Sequence, residues 1–236
     1  YFGADRFSNT GDAFLGFWYF KDVVSLNDDG SFNGMHLEGD ILVLVNFPQA
    51  SNESPEIRAV EWFPACSKAD KNPVPGDCVA KNLRLVYEGV VCGTAASDDA
   101  CAITNTELAF PNSGNSMLAG SVKAPWDYSA KSPDPNCEHT YCLPYESLFE
   151  GGVNLSKILG PGADTCFASF MVESRSSSSF TATLKDFVLR KFPLCAVELS
   201  KECGTGIYNP HTQTLSVPYS VTVENTGSAT VNEVIA

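Results

Sequence analysis

The longest uninterrupted aliphatic run in this chain is Ile41-Leu42-Val43-Leu44-Val45. It is far short of the roughly 20 apolar residues a bilayer-spanning helix requires, and no 3.6-residue hydrophobic period extends it into an amphipathic helix. What recurs instead is short apolar text cut by turn residues. Ala13-Phe14-Leu15-Gly16-Phe17-Trp18-Tyr19-Phe20 is aromatic-rich and broken by glycine; Asn27-Asp28-Asp29-Gly30 and Asn33-Gly34 follow as turns, and then Asp40–Phe47 as a strand. Further strands are expected at Ile57–Phe63, Leu83–Gly89, Ser116–Val122, Phe167–Glu173 and Phe180–Leu189. In the last of these Phe180, Ala182 and Leu184 alternate with Thr181, Thr183 and Lys185, the period of a half-buried strand. Only Tyr145–Phe149 and Leu155–Leu159 read as short helical turns. About seven strands with turns between them predict an all-β sandwich that buries both inner faces.

Charge and cysteine content narrow the setting. The chain has 236 residues, 44% hydrophobic and 18% charged, with a formal net charge of −13. Such a composition supports a real core, and an acidic chain repels phosphate backbones, which argues against nucleic-acid partners. Neither membrane insertion nor a charged-then-apolar leader is legible, so an exported protein would be expected here in its mature form. The cysteines are Cys66, Cys78, Cys92, Cys101, Cys137, Cys142, Cys166, Cys195 and Cys203. None forms the tight C-x2-C pair that zinc sites favour, and a zinc reading of Cys137, His139 and Cys142 is weak. Cys66–Cys78, Cys92–Cys101 and Cys137–Cys142 bracket or adjoin loop text and read as disulfides, which places the chain outside the cell or on its surface. With an odd count, Cys195 pairs either with Cys203 or with Cys166; the second choice releases Cys203 for an intermolecular bond. Asn52-Glu53-Ser54 and Asn154-Leu155-Ser156 match the N-glycosylation acceptor.

Near Phe192-Pro193-Leu194-Cys195 the style of the sequence changes. Residues 1–192 form the sandwich text, and residues 193–236 carry three strand signals, among them Leu215–Glu224, in which Val217, Tyr219, Val221 and Val223 alternate with polar residues or proline. An immunoglobulin-like sandwich needs about seven strands in about 100 residues, so this second unit is expected to be incomplete.

Several stretches, taken in order, carry a family resemblance: Tyr1-Phe2-Gly3-Ala4-Asp5-Arg6, Gly11-Asp12-Ala13, Gly16–Phe20, His36–Phe47, Ala124-Pro125-Trp126, Phe149–Leu155, Cys166–Phe170, Glu173–Ser177 and Ala182–Phe187. Residues 1–192 thereby resemble the jelly-roll, lectin-like domain of large secreted bacterial surface proteins. Leu199–Cys203 and Tyr219–Gly227 resemble the start of the immunoglobulin-like repeat that follows in such proteins. The resemblance implies a jelly-roll-type sandwich with a C-terminal incomplete immunoglobulin-like segment, without enzymatic activity. It also implies that the repeat runs past residue 236 and that Tyr1-Phe2-Gly3 is the middle of a first strand.

A sheet lacking a strand offers an open edge and groove, so the expected function is structural. The chain is read as a subunit of a surface or filamentous assembly, partnered by itself or by neighbouring surface-protein domains. Assembly would proceed by head-to-tail strand donation, with Val217, Tyr219, Val221 and Val223 filling the pockets. The competing expectation is a carbohydrate-binding adhesion module, in which Trp126 is the best surface platform; Trp62, Tyr128, Tyr141 and Tyr145 are weaker candidates and Trp18 is core. A structural calcium ion would draw on Asp5, Asp12, Glu150 or Glu173, against the alternative that these carboxylates pair with Arg6 and Arg175 or cap turns. Glu150 and Glu173 are also the available pair for glycoside hydrolysis. No G-x-S-x-G occurs, and His36, His139 and His211 read as solvated loop residues.

Overall fold

The computed structural model describes residues 1–47, 56–89, 99–105, 122–133, 135, 140–160, 163, 165–192, 195 and 197–227. In chain order the strands are β1 (Phe2–Asp5), β2 (Ala13–Phe20), β3 (Ser25–Leu26), β4 (Phe32–Asn33), β5 (Ile41–Phe47), β6 (Glu56–Trp62), β7 (Cys78–Ala80), β8 (Leu83–Gly89) and β9 (Ala100–Thr104). They continue as β10 (Val122–Lys123), β11 (Cys142–Leu143), β12 (Leu148–Val153), β13 (Ser169–Arg175), β14 (Leu184–Lys191), β15 (Val197–Cys203), β16 (Ile207–Asn209), β17 (Thr214–Ser216) and β18 (Tyr219–Asn225). Among the described residues there is one short helix, α1 (Leu155–Ile158), capped by Asn154, whose side chain accepts from the Lys157 N–H.

The fold is an all-β sandwich. A seven-stranded antiparallel sheet, ordered β14-β13-β2-β5-β6-β8-β7, faces a three-stranded sheet, β1-β12-β9. Between them pack Phe2, Phe17, Tyr19, Ile41, Val43, Val45, Phe47, Ile57 and Ala59, with Ala100, Ala102 and Phe149 from the small sheet. Phe17 and Phe149 are fully buried, and Phe2 meets Phe17 at 4.4 Å between ring centroids. Burial of the Tyr19 ring pushes its hydroxyl well above the usual tyrosine pKa.

The alternate residues of the same strands, Trp18, Phe20, Leu42, Leu44, Val60, Leu85 and Met171, form a second core on the far face of the large sheet. Among the described residues its cover comes from segment 21–40, which carries the two-stranded β3-β4 sheet, and from segment 63–77 before β7. The first is tied down by the Val24 N–H, which donates to Ser169 Oγ at 2.8 Å; the second is closed by the Cys66–Cys78 disulfide. Burial on both faces explains why Ile41–Val45 is apolar without alternation.

Several expectations need correction. Phe180–Thr183 is turn and loop rather than strand, and β14 begins at Leu184, because Phe180 turns back to cover the Arg58 guanidinium at 4.7 Å from its ring centroid. Tyr145 and Glu146 form a turn, with Glu146 at φ 56°, and Leu148–Phe149 open a strand rather than closing a helical turn. The strand signal at 215–224 is split at Val217-Pro218, since Pro218 has no N–H to give a ladder. Of the strand expected at 116–122 only Val122 is described, and the signal at 231–236 lies outside the described residues.

The cysteines resolve one alternative. Cys166 pairs with Cys195, Cα atoms 5.2 Å apart, joining the residues that flank the β13–β14 pair. The bond between Cys195 and Cys203 is therefore not made, and Cys203 is a free, exposed thiol. Cys101 and Cys142 are disulfide-bonded as well; Cys92 and Cys137, and so the two expected pairings, lie outside the described residues.

Candidate functional site

The acids expected to share a calcium ion do not converge. Asp5 and Glu150 lie on the outward face of the small sheet, where Gly3 pairs with Glu150 and Asp5 with Leu148. Asp5 Oδ2 accepts from the Trp126 indole N–H at 2.9 Å. Asp12 is an exposed residue just before β2, near Arg6, whose guanidinium donates to the carbonyls of Glu146, Gly11 and Asn9 and whose pKa is lowered by burial. Glu173 sits on β13, on the far face of the large sheet, and is buried in an ion pair with Arg175. Two sheets stand between Glu150 and Glu173, so these carboxylates do not flank a common cleft. Among the described residues no group of three His, Cys, Asp or Glu side chains is placed to hold a metal ion.

Glu173 belongs instead to a crevice. The E-x-R spacing puts Glu173 and Arg175 on one face of β13, where Arg175 Nη1 donates to Glu173 Oε1 and Nη2 to the carbonyls of Ser179 and Phe180. Burial raises the Glu173 pKa above the ordinary carboxylate value, with Arg175 opposing it. Space for the carboxylate exists because position 16 is glycine: a Cβ there would lie 2.6 Å from Glu173 Oε1. Across the crevice stands His36, which is not a freely solvated loop residue. Its ring stacks on Trp62 at 4.1 Å between centroids and leans on Trp18 at 4.6 Å, while Nδ1 bonds the fully buried Asp40 at 3.0 Å. Asp40 also accepts from the backbone N–H groups of Lys21 and Leu37. Sequence reasoning missed this crevice, although the E-x-R alternation was its one visible signal.

The predicted assembly residues lie in an antiparallel ribbon. β15 pairs with β18 in a register that sets Leu199 opposite Val223, Lys201 opposite Val221 and Cys203 opposite Tyr219. One face thus collects Val197, Leu199, Val221, Val223 and Tyr219, with the Lys201 ammonium 4.5 Å from the Tyr219 ring centroid. The other face holds Glu198, Ser200, Glu202, Ser220, Thr222 and Glu224. Every residue from 197 to 226 is exposed, Tyr219 at 65% and Leu199 at 60%. Val217 lies just before β18, in the break made by Pro218, so it is not part of the ladder.

Trp126 is a surface residue, 45% exposed, oriented by its bond to Asp5 and bordering a cleft of about 720 Å³ with Lys123, Asp127, Thr140 and Tyr141. Trp18 is core, as expected. Of the glycosylation acceptors, Asn154 is exposed at the cap of α1 and Asn52 lies outside the described residues.

No protein-family model, curated protein or solved structure matches the chain. Two disulfides between described cysteines, and no described helix long and apolar enough to cross a membrane, are compatible with an extracellular or secreted protein.

Proposed function

We propose that the protein is a non-enzymatic structural subunit of an extracellular surface or filamentous assembly, joined head to tail through its C-terminal ribbon. The observation that carries this reading is the amphipathic β15/β18 pair, whose apolar residues align across both strands and are covered by nothing in the chain's described part. The donated element is then a ribbon rather than the lone strand expected from sequence.

Among the described edges of the two main sheets, β1 is the acceptor left most open, since the uncharged β9 at the other edge of the small sheet lies against β6 and β8. β14 carries Lys185, Asp186, Arg190 and Lys191, and the three-residue β7 is pinned by the disulfide at Cys78. β1 carries a single charge, Asp5, and borders a cleft of about 530 Å³ floored by Gly3, Gly151 and Gly152. Adding β18 along β1 would pair backbone groups on a heterologous contact, which propagates rather than closes.

The test is a double substitution, Leu199→Lys with Val223→Lys, at two exposed cross-strand positions. Wild-type protein should form filaments in negative stain and the variant should remain dispersed. Filaments of equal length from the variant, or a monodisperse monomer from wild type at its highest soluble concentration, would sink the proposal.

A second reading, carbohydrate binding, is favoured by the oriented and exposed Trp126 in its polar cleft. Trp126→Ala should abolish any signal on a glycan array; silence of the wild-type protein on the array removes this reading.

A further inference from the structure

The crevice on the far face of the large sheet has a volume of about 270 Å³ and is walled by Trp18, Phe20, Met35, His36, Met171 and Glu173. Its chemistry is specific. Trp18 and Phe20 stack at 5.5 Å between centroids, and His36 closes one side. Among the described residues Glu173 is the one carboxylate on its wall, and it is only 4% exposed. Arg175 engages Oε1 alone, and Oε2 accepts no hydrogen bond from any described residue. The buried side-chain polar atoms left without a partner among the described residues are Asn46 Oδ1 and Arg175 Nε, so Oε2 opens to the crevice, where a cationic ligand can reach it. Aromatic faces attract cations through their quadrupoles, most strongly where water is excluded.

We propose that this crevice binds an organic ammonium group, with the cation against the Trp18 and Phe20 rings and Glu173 Oε2 as its counter-ion. A primary ammonium donates to Oε2 directly; a quaternary one is held by charge and ring contact. Met35, 73% exposed at the mouth, leaves the site open to solvent. A lysine side chain or a trimethylammonium headgroup meets these requirements, and an anion or a sugar does not. The site stands apart from the ribbon and does not depend on the assembly reading.

The full chain is titrated with choline and, separately, with 3,3-dimethyl-1-butanol, its neutral carbon isostere, following tryptophan fluorescence and calorimetric heat. Choline should bind saturably and about tenfold or more tighter than the isostere, the factor expected of a partly desolvated cation–π contact with its counter-charge. Glu173→Gln should erase that preference and leave the isostere unchanged. Met35→Lys, at an exposed position that does not threaten folding, should block choline by placing a competing ammonium at the mouth. Equal affinity for choline and its isostere, absence of saturable binding, or wild-type choline affinity in both variants would each overturn the assignment.

Discussion

The Glu173–Arg175 pair offers the most exacting stability test. Both side chains are less than a tenth exposed, and they stand on the same face of β13 with one residue between them. Arg175 is spent on Glu173 and on two carbonyls of the 176–183 loop, and its Nε has no partner. Replacing Glu173 by Leu leaves a buried guanidinium without its counter-charge, which costs about 3–5 kcal/mol. That is on the order of a third or more of a typical domain's stability. Replacing both residues, Glu173→Leu with Arg175→Met, removes the desolvation penalty along with the attraction. The double variant should lie within about 1 kcal/mol of wild type or be more stable. Urea unfolding at pH 7 with the disulfides intact, compared at a common m-value, measures all four corners of the cycle. A single-variant cost under about 1 kcal/mol, or a double variant as unstable as the sum of the singles, would refute this account. The pH dependence has a definite sign. The folded pKa of Glu173 lies above its ordinary value of 4.5, chiefly through burial. Its contribution is therefore fully present below pH 4.5 and is lost as pH rises through the folded pKa. The stability of wild type relative to Glu173→Gln should fall across that interval; a rise would invert the assignment.

Three other outcomes are expected. Gly16→Ala should destabilise by about 1–3 kcal/mol, because the new methyl meets a carboxylate that Arg175 holds in place; combined with Glu173→Ala and Arg175→Met the penalty should vanish, as read by urea midpoints. Removing the Cys166–Cys195 bond, which spans 29 residues of sequence, should cost about 3–4 kcal/mol by chain entropy and show as a lower midpoint in Cys166→Ala/Cys195→Ala. In native oxidised protein a maleimide should modify Cys203 and spare Cys66, Cys78, Cys101, Cys142, Cys166 and Cys195, as read by peptide mass mapping.

The strands of the central sheet were legible because their signals are redundant. β2 carries a run of aromatic residues and β5 a run of β-branched and leucine residues, each bounded by turn text, and each is buried as those residues demand. Phe180–Thr183 misled because alternation also arises in a loop when one apolar residue folds back as a cover, here over Arg58. The acids misled for a different reason. Asp5, Glu150 and Glu173 look alike as letters, yet face parity places the first two on the outside of the small sheet and the third beneath the far face of the large one. Pairing with Arg175 was visible in the two-residue spacing; the crevice was not, because its other wall comes from segment 22–36, distant in sequence and without a period of its own.

Face parity also separates the ribbon from an ordinary exposed hairpin. In the large sheet, Phe17 lies opposite Val43 and Val172, and the aligned side chains are buried under the small sheet. In β15 and β18 the alignment is just as regular, Leu199 on Val223 and Val197 beside it, but the face is open. Scattered exposed apolar residues need no explanation, whereas apolar residues gathered on one face mark a candidate interaction surface. A two-stranded ribbon is marginal by itself, and fully covering each Val, Leu or Tyr returns about 1.5–3 kcal/mol. The gain on docking therefore exceeds what the ribbon's own ladder supplies. Docking and ordering of the ribbon should be coupled: backbone amides of residues 197–203 and 219–225 should exchange rapidly in dispersed protein and become protected in filaments. Equal exchange in the two states would show that the face is not what the assembly buries.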